Sequence, residues 1–147
     1  VVGFLFVVLF LFSGNGDYRY RRGVGRRRLQ MGKGPVDEVA AQASPFGGII
    51  ASGFQTLIVA FRLTIDTGFF EACSMGSPGM DAVRWMAPVR PGDCLRVRAE
   101  VMSARLSGSK PDRGLVTIRY EVLNQDDQPV ACYSPVQILQ RTPQTDL

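Results

Sequence analysis

The sequence predicts an α+β domain in which one long helix is covered by a mainly antiparallel sheet. Three observations carry this. Between Ser44 and Asp66, the residues Ile50, Phe54, Leu57, Ile58, Phe61 and Ile65 recur at three- and four-residue steps, the spacing of one helical face. From Ala82 to Arg141 no helical period occurs. Within that half two stretches alternate strictly: Leu95, Val97, Ala99 and Val101 against Arg96, Arg98 and Glu100, then Val116, Ile118, Tyr120 and Val122 against Thr117, Arg119 and Glu121. Such alternation marks strands with one face on a core and one in water.

Taken in order, Val1 to Phe12 is nearly unbroken hydrophobic sequence. It is shorter than the ~20 residues of a membrane-spanning helix. No positive charge precedes it, as would be expected of a signal peptide. A truncated membrane anchor is an alternative reading, because arginines follow the run. Gly14 to Gly34 is rich in Gly and Arg without an apolar period and reads as a solvated linker. Residues 1–35 are therefore expected to lie outside the fold, and residues 36–147 to form the domain. Val36 to Ala43 has the look of a short helical turn, with Pro35, Asp37 and Glu38 near its start. The main helix is expected over about Gly47 to Asp66. Thr67 to Gly79 reads as a loop, Ala82 to Ala87 as a short strand, and Arg90 to Asp93 as a turn. The two alternating strands follow, then a hairpin turn at Asn124 to Gln128 and a return strand at Val130 to Leu139. Pro135 in that strand suggests an edge or a bulge. Ile50, Phe54, Leu57, Phe61, Val97, Ile118 and Val122 are the expected core, and Phe54 and Phe61 in solvent would reject this reading.

The charge is unevenly placed. The net charge is +4, but seven basic residues and one acid lie before Val36, which leaves the domain slightly acidic. Nucleic acid is not an expected partner. Cys73, Cys94 and Cys132 are three in number and lack CxxC spacing, so they read as reduced thiols of a cytoplasmic protein. The chain has no histidine. That excludes His-based metal sites, Ser-His-Asp triads and any histidine general base; no metal or other cofactor is expected.

The start of the main helix is unusual, because Gly47, Gly48 and Gly53 cluster where the pattern is otherwise helical. A glycine inside a helix costs about 1 kcal/mol against alanine. Two reasons stand side by side: a free first-turn amide facing a ligand, or close packing of the backbone on a sheet.

Three segments in order, SPFGGIIASGFQT, GSPGMDAVRWMAPVRPGD and SKPDRGLVTIRYEVLNQDDQPV, closely resemble the MaoC-like dehydratases, which include the (R)-specific enoyl-CoA hydratases. The resemblance runs from about Asp37 to Arg141. It implies a hotdog fold, an acyl-CoA or acyl-carrier thioester substrate and a homodimer. It also implies a motif D-x-N-P-x-H-x-D before the helix, whose Asp and His act on water and on the substrate α-carbon. Here the first Asp of that motif falls on Gln30, the Asn and Pro on Gly32 and Lys33, the His on Pro35 and the last Asp on Asp37. The family's catalytic pair is thus absent from this chain. The helix-start glycine falls on Gly53, after Ser52, so the thioester-oxygen site is expected to persist without the acid/base pair. The expected function is an acyl-thioester dehydratase or hydratase impaired through a truncated or frameshifted N-terminal part. A hotdog thioesterase and a non-catalytic acyl-CoA-binding or dimer-partner subunit are the alternatives.

Overall fold

A computed structural model describes the backbone of residues 5–8, 27–28 and 38–141. Gln30, Pro35 and Asp37 lie outside the described residues. The short helix α1 spans Glu38–Gln42 and the main helix α2 spans Gly53–Ile65. Four long strands follow: β3 (Ser74–Trp85), β4 (Cys94–Leu106), β5 (Arg113–Leu123) and β6 (Pro129–Gln140). They form an antiparallel sheet in the order β4-β5-β6-β3. Two short N-terminal segments, β1 (Leu5–Val8) and β2 (Arg27–Arg28), pair with β4, at Val97 to Glu100 and at Cys94 and Leu95. Among the described residues no helix is long and apolar enough to cross a membrane.

The two alternating stretches are the paired strands β4 and β5, with Val97 opposite Val122 and Ala99 opposite Tyr120. Their inward residues Val97, Ile118, Tyr120 and Val122 are buried, and Ala131 and Tyr133 of β6 continue the same core. Helix α2 lies over it and buries Thr56, Ala60, Leu63 and Thr64. Ala60 and the threonines are small, which lets the helix approach the sheet closely.

Four expectations are corrected. Residues 47–52 are loop, because Gly47 (φ 62°) and Gly48 (φ 151°) adopt backbone angles that helices do not. The helix starts only at Ser52, whose side chain accepts a hydrogen bond from the Gln55 amide. The strand expected from Ala82 begins at Ser74. It escapes a period-two reading because it is an edge strand exposed along nearly its whole length and interrupted by bulges. Pro135 sits in an inner strand rather than at an edge, opposite Met80, and the β5 pairing passes from Val136 to Tyr133 without using it. Phe54 and Phe61 are 74% and 55% exposed, and Ile50 and Leu57 only half-buried. The apolar residues of α2 cover two faces, and the face with Ala60 and Leu63 took the sheet. Phe54, Ile58, Phe61 and Ile65 instead keep about half or more of their surface exposed. The sheet order and the helix across it nevertheless carry the α+β architecture.

Candidate functional site

The first turn of α2 sits at the edge of an open cavity of about 440 Å³, bounded by Phe46, Ile50, Gly53, Phe54, Trp85 and Met86. Its position follows from local structure. The Ala51 amide donates to the Val89 carbonyl at 2.8 Å, which ties the loop before the helix to the segment after β3. Ser52 then caps the helix, with its Oγ 3.1 Å from the Gln55 nitrogen. Thr56 Oγ1 donates back to the Ser52 carbonyl at 3.2 Å. The amides of Gly53 and Phe54 belong to the first turn and have no hydrogen-bond partner among the described residues.

Gly53 is required here by packing. A Cβ at this position would lie 2.4 Å from Trp85 Nε1 and 2.5 Å from Cε2. The indole therefore rests on the helix backbone, and Phe54 meets its ring edge-on, with centroids 6.2 Å apart at 66°. Of the two reasons for this glycine, close packing is directly visible. It does not compete with the other, because the same contact leaves the first-turn amides beside the cavity. No local pattern points to Trp85, which comes from the far end of β3, 32 positions beyond Gly53. The Trp at the end of a bulged edge strand is recognisable as a site residue only once it is seen on the glycine.

The chemistry available at this cavity is limited. Apolar side chains and two helix-start N–H groups can bind a carbonyl oxygen, and partial positive charge at the helix start favours a developing anion. None of the described side chains lining it is ionisable. Ser52 is committed to its cap. Among the described residues no cluster of His, Cys, Asp and Glu could hold a metal ion.

A smaller cavity of about 150 Å³ lies toward the other end of α2, between Phe61, Thr64 and Ile65 and the strands β3, β5 and β6. Tyr120 and Tyr133, opposite one another on β5 and β6, line it with rings stacked at 5.1 Å. Both are almost fully buried, and neither hydroxyl has a hydrogen-bond partner among the described residues. Burial pushes the Tyr133 phenol up to about 12; Thr64 stands close enough to offset part of this, though outside hydrogen-bonding geometry. Burial raises Tyr120 further, helped by the charge that Tyr133 would carry when ionised.

A model of the MaoC like domain matches residues 36–125. The chain belongs to this MaoC-like family. Among known proteins it is 34% identical over 92 residues to the uncharacterized protein YdeM of Bacillus subtilis, a match that covers 63% of this chain and 64% of that protein. The chain thus spans just under two thirds of that curated relative. The MaoC-like dehydratase of Rhodospirillum rubrum is similar in structure, with a TM-score of 0.67 and 34% identity over 74% of this chain and 73% of the other. A Mycobacterium tuberculosis protein described as a double hotdog fold superposes with a TM-score of 0.58 at 21% identity, covering 74% of this chain and 32% of that one. The fold of the MaoC-like chain is therefore the hotdog fold, with α2 as its central helix.

Proposed function

We infer that this MaoC-like domain binds an acyl thioester, carried by CoA or by a carrier protein, with the thioester carbonyl at the start of α2. The observation that carries the reading is the pair of Gly53 and Phe54 amides, without a hydrogen-bond partner among the described residues, at the edge of an apolar cavity. Hydration of an enoyl thioester adds the hydroxyl of water at the β-carbon, the water's other proton going to a base, and a proton at the α-carbon, and charge builds on the thioester oxygen between the two events. Helix-start amides stabilise that charge, and losing one such donor typically costs about 10²–10³ in rate. Ser52 contributes by capping the helix and holding these amides in place.

The other half of the chemistry, deprotonating water and protonating carbon, needs acid/base groups. Those groups typically contribute about 10²–10⁴-fold each. The chain has no histidine, Gln30 and Pro35 occupy the family's positions, and the described cavity wall has no ionisable group. Asp37 is the carboxylate of the motif that remains. The domain alone therefore hydrates enoyl thioesters poorly. The lack of an ionisable group among the described residues of the wall also favours a second reading, a binding subunit whose partner supplies the acid and base.

A homodimer fits the surface. Strand β3 lies at the sheet edge, with its backbone exposed, and α2 presents Phe54, Ile58, Phe61 and Ile65 to solvent. Natural sheets rarely leave such an edge uncovered, and a second copy would cover both features. The three unpaired cysteines support a reducing cytoplasm.

The test assays the chain beside a Gln30→Asp, Pro35→His double variant. Binding of crotonyl-CoA is followed through Trp85, the sole tryptophan, and hydration through loss of the enoyl-thioester absorbance. Binding with little turnover, and turnover gained in the double variant, is the expected result. Wild-type turnover equal to that of an intact relative would show that the acid/base pair lies elsewhere. Release of free CoA would replace the reading by a thioesterase.

A further inference from the structure

The Arg90-Pro91-Gly92-Asp93 turn lies outside the chemistry above, yet it touches the loop that leads into α2. Arg90 Nη2 donates to the Phe46 carbonyl at 2.6 Å. The same guanidinium lies against Gly48, where a Cβ would come 3.1 Å from Nη1. Arg90 is itself held from behind. Its backbone N–H donates to Asp93 Oδ2 at 2.8 Å, and Asp93 Oδ1 accepts from Gln125 Nε2 at 3.1 Å. Gln125 belongs to the β5–β6 hairpin turn, and its Oε1 accepts from the Cys94 amide at 3.1 Å. Asp93 thus binds the Arg90 backbone and leaves the guanidinium for the loop.

The loop needs such a hold. Gly47 and Gly48 both adopt positive φ, and glycines have the most backbone freedom to lose on ordering. Apart from the Ala51–Val89 bond, the Arg90 contact to Phe46 is the long-range hydrogen bond that this loop makes among the described residues. The fork shape of a guanidinium lets Nη2 bond the Phe46 carbonyl while Nη1 lies close to Gly48.

We propose that Arg90 is a positioning residue: seated on the Asp93–Gln125 pair, it fixes the loop from Phe46 to Ser52 and thereby the first-turn amides of α2. The inference rests on the proposed thioester site for its functional meaning, but its structural half stands alone. Arg90 acts on the loop, so its effect is independent of any phosphate that the thioester carries.

The experiment uses the full chain with Arg90→Ala, Arg90→Lys and Gln125→Ala. Hydrogen exchange is read at Ala51 and Gln55, whose amides bond Val89 and Ser52. Affinity is read for crotonyl-CoA and for crotonyl-pantetheine, which lacks the nucleotide phosphates. Arg90→Ala is expected to speed exchange at both amides about tenfold while the β5–β6 amides stay protected. It should weaken both thioesters by the same factor. Arg90→Lys should restore part of each effect, and Gln125→Ala should reproduce them in smaller measure. Unchanged exchange at Ala51 and Gln55 in Arg90→Ala overturns the proposal. So does a loss confined to crotonyl-CoA, which would make Arg90 a phosphate contact. If the wild-type chain binds neither thioester, the functional reading of the site fails, and the exchange result still decides what Arg90 does to the loop.

Discussion

Replacing Gly53 by alanine tests the packing at the site and the site itself in one step. The new methyl would lie 2.4 Å from Trp85 Nε1, so the indole must swing off the helix. Trp85 is 51% exposed, so it has room to leave. A buried tryptophan covers about 150–250 Å²; the half in contact here is about 100 Å², worth about 2.5 kcal/mol at about 25 cal/mol per Å². Losing the edge contact with Phe54 costs about 0.5–1.5 kcal/mol more. The better helix propensity of alanine returns at most about 1 kcal/mol. The net loss is about 2–3 kcal/mol, or about 5–15 °C in Tm for a domain of this size. Urea unfolding measures the loss. Emission from Trp85, the sole tryptophan, reports the displacement directly and should shift to the red. Affinity for crotonyl-CoA should fall as well, since Trp85 lines the cavity beside the first-turn amides. A variant within about 0.5 kcal/mol of wild type, the range of an ordinary surface change, with unaltered emission would refute the packing account.

Three further outcomes are expected. Tyr120 and Tyr133 have folded pKa values raised above that of a free phenol, so their contribution to stability is present below about pH 10 and lost as pH rises toward 12. Alkaline unfolding followed at the tyrosinate absorbance should show this loss, and a Tyr120→Phe, Tyr133→Phe variant should unfold at higher pH. At pH 7 that variant should be as stable as wild type or more so by about 1 kcal/mol, because each change removes a buried hydroxyl that has no partner among the described residues. Asn124→Ala should cost about 2 kcal/mol in urea unfolding, because the buried Oδ1 accepts from the Asp126 and Gln128 amides at 3.0 and 2.9 Å. Phe61→Asp should leave the monomer folded and shift light scattering from dimer to monomer, whereas a wild type that is monomeric at micromolar concentration would count against the dimer.

What could be read from the residues alone follows from how each element meets water. Strands β4 and β5 have one wet face, so their registers are written as alternation, and Val97, Ile118 and Val122 are buried as their positions imply. The Asn124 hairpin was legible because its side chain makes the turn locally. Strand β3 was not legible from Ser74, since an exposed and bulged edge strand imposes no apolar pattern on its sequence. The helix α2 was legible as a helix but not in its orientation. It is apolar on more than one side, and period alone cannot say which side meets the sheet. The tertiary structure decided that Leu63 is buried there beside the small Thr56, Ala60 and Thr64, which permit the close approach, and so left Phe54 and Phe61 more than half exposed. At the site, glycine at position 53 and the absence of histidine are properties of the sequence, and the proposed chemistry rests on both. That Trp85 rests on this glycine, and that Arg90 holds the loop before it, depends on contacts between residues 32 and 44 positions apart in the chain. Such contacts form only after the sheet and helix are assembled, so no local pattern encodes them.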